Sequence, residues 1–259
     1  MSQPSTSVDR KSQERDRGDS GKHIAAEEAR WSASEGLGLI GAGREGVFGA
    51  CGGREEDSIL WRRMASLMSF SRRPAEGEMG VAESVRTRTD IEELYINGGW
   101  FGDDDAEELG AALAHNTSLK SIALHSCSFG GRGLRGITEA LKTSTVIDCL
   151  YLHDLRIGDA GAEVLADLLV STSSLTNITI GSCGVGEIGA RTIADALKIN
   201  KTLEILIISS NIIGDAGAAA LADALAVNSS LKRLFVHNCG IGAVGSRAIA
   251  DALKINSSL

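Results

Sequence analysis

The amino-acid sequence predicts a curved α/β solenoid, with a parallel β-sheet on its concave face and α-helices on its convex face. Three observations lead to this fold. The sequence repeats with a period of 28 residues from residue 91 to residue 259. Each unit has a strand-like first half and a helix-like second half. No proline occurs after Pro74, as expected where strands and helices need nearly every backbone N–H.

The first half of each unit has the pattern aliphatic-x-x-aliphatic-x-aliphatic. In the fifth unit these positions are Leu203, Leu206 and Ile208, and their alternation indicates a short strand with one buried face. The residues that open the units are Ile91, Leu119, Ile147, Leu175, Leu203, Leu231 and a final Leu259. A glycine follows every strand, at Gly102, Gly130, Gly158, Gly186, Gly214 and Gly242.

The second half of each unit has helical spacing. In the fifth unit Ala218, Leu221, Ala222 and Leu225 fall on one face of a helix. Three other positions recur in this half. An acidic residue near the helix start (Asp103, Asp159, Glu187, Asp215) is expected to cap the helix or favour its dipole. A first-turn glycine (Gly161, Gly189, Gly217, Gly245) predicts close approach between stacked units, and an asparagine near the helix end (Asn200, Asn228, Asn256) suggests a left-handed residue.

Stacking follows because one unit cannot bury its apolar edges alone. Adjacent strands lie about 4.8 Å apart, whereas each helix needs about 10 Å of width. This mismatch bends the stack toward the strands.

These residues also match a known family. The run from Leu203 through Asn211, Gly214, Gly217 and Leu225 resembles the ribonuclease-inhibitor-like leucine-rich repeat. This subtype also appears in NOD-like receptors, Ran GTPase-activating proteins and tropomodulin-like proteins. The resemblance covers six whole repeats, over residues 91–258, and implies a leucine-rich-repeat solenoid. It implies little about function, because these families share the fold and differ in what they bind.

The predicted domains are a disordered, glycine-rich leader over residues 1–55, a helical N-terminal cap over 56–90, and the repeats over 91–259. Within the cap, Leu60, Met64, Leu67 and Met68 share one face of a helix predicted over residues 57–73. The two G-x-G-x-x-G matches at residues 36–46 lack the strand and helix of a dinucleotide site. The chain stops as a seventh unit opens, which suggests an uncapped end and a longer repeat protein.

Charge and cysteine content restrict the partners and the compartment. Residues 91–259 carry 19 acids and 12 bases, a net charge of −7, which disfavours nucleic acid as a partner. No apolar run is long enough for a membrane span. Cys127, Cys183 and Cys239 share one column in alternate units, too far apart to pair, and this indicates a reducing compartment. We therefore expect a cytoplasmic protein, with the nucleus as an alternative.

The concave face is where we predict a binding site. Exposed aromatic residues and arginine are typical anchors of protein interfaces. The candidate partner-binding residues are Tyr95, Asn97, Trp100, His125, Tyr151, His153, Asp154, Arg233, Phe235 and His237. His125 and His153 lack a third ligand for a metal, and no catalytic set is brought together, so we expect no enzyme activity and no cofactor.

The sequence therefore predicts a non-enzymatic scaffold that binds a protein partner, without naming that partner. The alternatives are a regulator of a small GTPase, resembling the Ran GTPase-activating proteins, and the sensor fragment of a NOD-like receptor. No homo-oligomer is expected, except through the uncapped C-terminal end.

Overall fold

The computed structural model describes residues 67–259, which form seven parallel strands alternating with seven helices. The predicted glycine-rich leader and its G-x-G-x-x-G matches lie outside the described residues. The strands are β1 (Leu67–Phe70), β2 (Glu93–Asn97), β3 (Ser121–His125), β4 (Cys149–His153), β5 (Asn177–Gly181), β6 (Ile205–Ile207) and β7 (Arg233–Phe235). The helices are α1 (Val81–Thr87), α2 (Asp103–Leu113), α3 (Gly131–Thr143), α4 (Gly158–Ser171), α5 (Glu187–Ile199), α6 (Gly214–Leu225) and α7 (Ala243–Leu253).

The sheet confirms the predicted solenoid. Its strands pair in chain order, and from β2 onward every residue pairs with the one 28 positions later, such as Leu150 with Ile178. The aliphatic columns of the strands and helices meet in one continuous core, where Leu206, Ile208 and Leu221 are at most 1% exposed. We call the other side of the sheet, away from this core, the concave face.

Neighbouring units are joined in pairs at the start of their helices. The Oδ1 atom of Asp159 in the third unit accepts hydrogen bonds from two backbone N–H groups of the fourth unit, Gly186 at 2.7 Å and Gly189 at 2.9 Å. Asp103 and Asp215 make the same two bonds to the second and sixth units. Each helix in these even units is therefore capped by a carboxylate of the unit before it.

A third hydrogen bond strengthens two of these pairs. The N–H of Gly158 donates to the carbonyl of Cys183 at 3.0 Å, and the N–H of Gly214 donates to the carbonyl of Cys239 at 3.1 Å. Both glycines are left-handed, with φ of 57° and 61°, a conformation that costs other residues energy. The sequence repeats every 28 residues, but the hydrogen bonds between helix starts repeat every 56 residues, because they join the units in pairs.

The first-turn glycines have the predicted role at three of four positions. A Cβ atom on Gly189 would lie 2.8 Å from the Cβ atom of Ala162 in the previous unit, and Gly217 and Gly245 have similar neighbours. At Gly161 the nearest atoms to such a Cβ belong to Ile157 of the same unit. Stacking therefore accounts for most of this column, and packing within the unit accounts for the rest.

The interpretation of the asparagine column was wrong. Asn200 has φ −61° and ψ 138°, an extended conformation rather than a left-handed one. Its side chain makes the contacts instead. Nδ2 donates to the carbonyl of Leu169 in the previous unit at 2.7 Å, while Oδ1 accepts from the N–H groups of Thr202 and Leu203. Asn116, Asn228 and Asn256 repeat this pattern, so the column is a polar ladder between units.

The helix predicted over residues 57–73 is wrong in its described part, because Leu67–Phe70 is a strand. Met68 pairs with Leu94 and Phe70 with Ile96, so they occupy the columns of an extra strand with a spacing of 26 residues rather than 28. That shorter spacing hides the strand from a search at the 28-residue period. The following helix α1 buries Val81, Ala82 and Val85, and residues 67–87 therefore add one short unit before the first full one.

The last unit is less buried than the others. Leu234, Val236 and Ile249 are only partly buried, and Leu253 is 46% exposed, whereas their counterparts in inner units are almost inaccessible. None of the helices between residues 67 and 259 is both long and apolar enough to cross a bilayer.

Candidate protein-binding face

The concave face presents three parallel rows of side chains, one residue from each of six strands or the positions just beyond them. The first row is Glu93, Ser121, Cys149, Asn177, Ile205 and Arg233. The central row is Tyr95, Ala123, Tyr151, Thr179, Ile207 and Phe235. The third, which we call the histidine row, is Asn97, His125, His153, Gly181, Ser209 and His237. Strand pairing sets these rows, since Tyr95 pairs with Ala123 and Ala123 with Tyr151.

The predicted aromatic anchors lie in the central row. Tyr95, Tyr151 and Phe235 are half-buried, so each ring presents part of its surface above the sheet. Burial raises the pKa of the Tyr95 phenol, so this side chain stays neutral at physiological pH. Between the two tyrosines lies Ala123, which is small enough to leave a depression of one strand width.

The histidine row is a chain of contacts along the sheet. The rings of His125 and His153 are stacked, with centroids 4.9 Å apart and planes 4° from parallel. The ring of His153 extends toward Gly181, where a Cβ atom would lie 2.6 Å from its Cδ2. Ser209 Oγ lies 2.8 Å from Nδ1 of His237. The face holds its imidazoles in fixed positions, with Gly181 providing the space for one of them.

A hydrogen-bonded relay determines the tautomer of His125. The hydroxyl of Ser126 donates to Oδ2 of Asp154 at 2.7 Å, so its oxygen must accept the bond from Nδ1 of His125 at 2.9 Å. Oδ1 of Asn97 lies 3.3 Å from the same nitrogen and is also an acceptor. In neutral His125 the proton is therefore on Nδ1, and the lone pair is on Nε2.

Ser126 and Asp154 belong to a row of turn residues that sequence reasoning did not single out as a group. These residues follow the strands directly, and five of them have a positive φ without being glycine: Ser126, Asp154, Ser182, Ser210 and Asn238. Short polar side chains tolerate this conformation better than other residues. The only sequence signal was a run of serine, aspartate and asparagine in one column.

One predicted site residue lies apart from the aromatic group. Trp100 lies in the turn after β2, outside the three rows. Its Nε1 donates to the carbonyl of Asn97 at 3.2 Å, and the guanidinium of Arg73 lies 5.9 Å from its ring centroid. Trp100 lines a cleft beside α1 and α2 instead. Arg233 is in β7, two residues from Phe235 and three strands from Tyr151.

Metal and thiol chemistry receive no support from this geometry. No group of three or more His, Cys, Asp or Glu residues in the described part of the chain could hold a metal ion. Cys127, Cys183 and Cys239 are buried free thiols on the core side of the turns. Burial raises the pKa of Cys127 and of Cys183 to about 12, and also raises that of Cys239, so none of the three is a ready nucleophile.

Comparisons with known proteins agree with the repeat architecture. A family model described as "Leucine Rich repeat" matches residues 200–222, from the end of α5 into α6. This match agrees with the fold, which is a leucine-rich-repeat-like α/β solenoid. A search of curated proteins finds no significant match.

Two solved structures illustrate the similarity of this chain to known proteins. The structure of "Leiomodin-1 Actin-Binding Site 2 (ABS2)" is 27% identical, has a TM-score of 0.42, and is matched over 48% of this chain and 71% of that chain. The tropomodulin C-terminal domain of Caenorhabditis elegans is 18% identical, has a TM-score of 0.47, and is matched over 59% of this chain and 93% of that chain.

Proposed function

We propose that this protein is a non-enzymatic scaffold that binds a protein partner through its concave face. The observation that carries this proposal is the central row, in which Tyr95, Tyr151 and Phe235 are half-buried on the side of the sheet opposite the core. Large aromatic rings held on a rigid sheet lose little conformational entropy on binding, and such rings are enriched among interface hot spots.

The histidine row supports the same proposal. Its imidazoles are held in position by stacking and by hydrogen bonds within the protein, so they offer a preorganised polar border beside the aromatic row. A hydrophobic centre with a polar border is the usual anatomy of a protein interface. Of the residues predicted for the site, Tyr95, Tyr151, His125, His153 and Phe235 are the core of this proposed surface.

The experiment compares partner capture by the wild-type chain and by a variant with Tyr95→Ala, Tyr151→Ala and Phe235→Ala. A matched control removes three exposed apolar side chains from the helices, with Val170→Ala, Ile188→Ala and Val244→Ala. We expect the concave variant to lose proteins, identified by mass spectrometry after affinity purification, that the control retains. An unchanged set of captured proteins in the concave variant would contradict the proposal, provided that circular dichroism shows both variants folded.

Defined probes accompany the purification. A panel of Ran-like and Rho-like GTPases tests the regulator alternative, because stimulated GTP hydrolysis would favour it over a simple scaffold. Actin, after which the leiomodin-1 site is named, is included as a probe and not as an expected partner. No specific contact in the described residues favours the receptor-fragment alternative.

A further inference from the structure

A cleft at the N-terminal end of the described stack offers a second site for a protein partner, outside the three rows of the concave face. We propose that this cleft binds a lysine side chain from a basic segment of a partner, with the aliphatic stem inside and the ammonium group among carboxylates. The cleft is a different surface from the concave face, so the two proposals can be tested separately.

The cleft lies between the loop after β1 and the helices α1 and α2, and it has a volume of about 360 Å³. This volume is within the range of ligand pockets in proteins. Its lining includes three core residues, Val81, Ala82 and Phe101, which are at most 7% exposed. Pro74 and Trp100 add partly buried apolar surface. The aliphatic stem of a lysine can therefore be removed from water here.

The negative charge of the described chain is concentrated at this end. Residues 67–118 contain 11 acidic and 4 basic side chains, a net charge of −7, whereas residues 119–259 contain 12 of each and are neutral. A segment with this excess of carboxylates attracts cations from a distance and repels anions. The charge around the cleft therefore favours a basic partner over an acidic one.

The arginines around the cleft do not balance its carboxylates. Four carboxylates line it: Glu78, Glu83, Asp105 and Glu108. Arg73 pairs with Asp105 at 3.0 Å. Arg72 pairs with Glu78 at 2.8 Å. Glu83 and Glu108 share Arg86, whose Nη1 lies 3.9 and 3.6 Å from their oxygens, too far for good hydrogen bonds. An ammonium group has three donors, so it can bind both of these carboxylates at once.

Trp100 shows that a cation is already accommodated beside the cleft. The guanidinium of Arg73 lies 5.9 Å from the centroid of the Trp100 ring, and its Nη2 donates to the Trp100 carbonyl at 2.7 Å. Aromatic faces attract cations, and an indole does so most strongly. An acidic side chain would instead meet repulsion from Glu83 and Glu108. Apolar lining, an indole and two carboxylates that share one arginine together favour lysine.

The test measures binding of nine-residue fluorescent peptides to the full chain by anisotropy. One peptide alternates glycine and lysine, a second has acetyl-lysine in place of lysine, and a third alternates glycine and glutamate. Acetylation keeps the aliphatic stem but removes the charge. The key variant is Glu83→Gln with Glu108→Gln. Its control is Glu92→Gln with Asp104→Asn, which makes the same change of net charge at the same end of the stack but outside the cleft.

We expect the lysine peptide to bind the wild-type chain, and the acetyl-lysine and glutamate peptides to bind at least fivefold more weakly. The Glu83→Gln/Glu108→Gln variant should lose at least fivefold in affinity for the lysine peptide, and the control should change by less than twofold. An equal loss in the control would overturn the proposal, since it would mean attraction to net charge alone.

The fluorescence of Trp100 provides a second measurement. In the full chain with Trp31→Phe and Trp61→Phe, Trp100 is the one remaining tryptophan. We expect saturation with the lysine peptide to change its emission, because the peptide side chain would lie against the indole. Unchanged emission at saturation would place the peptide elsewhere and overturn the proposal.

The two proposals can fail separately. The variant with Tyr95→Ala, Tyr151→Ala and Phe235→Ala should bind the lysine peptide within twofold of the wild type, because none of these residues lines the cleft. A loss as large as that of the Glu83→Gln/Glu108→Gln variant would mean that the cleft is the wrong site. If the lysine peptide does not bind, while the concave variant still loses captured proteins, the scaffold function stands and the cleft proposal is wrong.

Discussion

Asn228 illustrates how single polar residues hold this solenoid together. Its Nδ2 donates to the carbonyls of Leu197 and Asn200 in the previous unit, at 2.7 and 3.1 Å. Its Oδ1 accepts hydrogen bonds from the N–H groups of Ser230 and Leu231, which lie just before strand β7. The residue is only 4% exposed, so most of the backbone groups that it binds have little access to water as a replacement partner.

We therefore expect Asn228→Ala to lower the free energy of unfolding by about 3 kcal/mol, since several buried backbone groups lose their partner. The matched control is Asn256→Ala in the last unit, where the same contacts are only partly buried, and where about 1 kcal/mol is expected. Urea denaturation measures both. Equal losses in the two variants would show that burial of the ladder is not what makes it stabilising.

The buried thiols lead to a prediction about pH. Burial raises the pKa of Cys127 and Cys183 from 9.0 to about 12, so the neutral thiol is favoured in the folded state. Their contribution to stability is complete below pH 9 and is lost as the pH rises toward 12, because only the unfolded chain then releases the proton. Each thiol should cost roughly 1.4 kcal/mol at pH 10 relative to pH 7.

The measurement is the free energy of unfolding at several pH values between 7 and 10. Cys127→Ala with Cys183→Ala lowers stability at every pH by removing packing, but the fall between pH 7 and pH 10 should be smaller than in the wild type. Parallel curves for the two proteins would refute the assignment to these thiols.

At the scale of the element, the helix starts decide how units pair. Asp159 and Glu187 occupy the same column of adjacent units, yet they act differently. Asp159 caps the next helix through Gly186 and Gly189, whereas Glu187 is exposed and pairs with Arg191 of its own helix at 3.3 Å. Asp159 thus connects two units through hydrogen bonds, whereas Glu187 is a surface residue that interacts only within its own helix.

Asp159→Ala should therefore cost about 2 kcal/mol of unfolding free energy, the upper range for loss of a helix cap. Glu187→Ala should cost less than about 0.5 kcal/mol, as for other exposed ion pairs. Thermal and urea denaturation of the two single variants provide the comparison. Similar effects of both changes would mean that the hydrogen bonds from Asp159 to the next unit do not stabilise the stack.

The same column shows how far the sequence could predict this structure. The period located every strand and helix from residue 91 onward, because the buried aliphatic positions repeat without interruption. It could not separate Asp159 from Glu187, since the difference lies in the backbone of the neighbouring unit. It also missed β1, because two residues fewer in that unit shift Met68 and Phe70 out of register.

On the concave face, strand alternation was enough to predict the three rows of side chains. The relay through Ser126 could not be predicted, because it depends on a left-handed turn that no residue type requires.

At the scale of the whole molecule, the stability of a solenoid is close to a sum over units and their interfaces. The two ends of the described stack differ in this respect. The first full unit is covered by β1 and α1, and Ile91, Leu94 and Phe101 are at most 2% exposed. In the last unit the corresponding core positions Leu231, Leu234 and Ile241 range from buried to partly exposed, and Ile255 and Leu259 are 69% and 42% exposed.

We predict that local unfolding begins at β7 and α7. Native-state hydrogen exchange of the full chain should show the fastest opening in residues 233–256, intermediate opening in β6 and α6, and the slowest in β3, β4, α3 and α4, because each inner unit has an interface on both sides. Replacing Leu253 with lysine, which adds charge at an already exposed position, should leave the slowest amides unchanged. Uniform protection from β2 to β7 would contradict the prediction, since it would require the whole stack to open as one cooperative unit rather than from its less buried end.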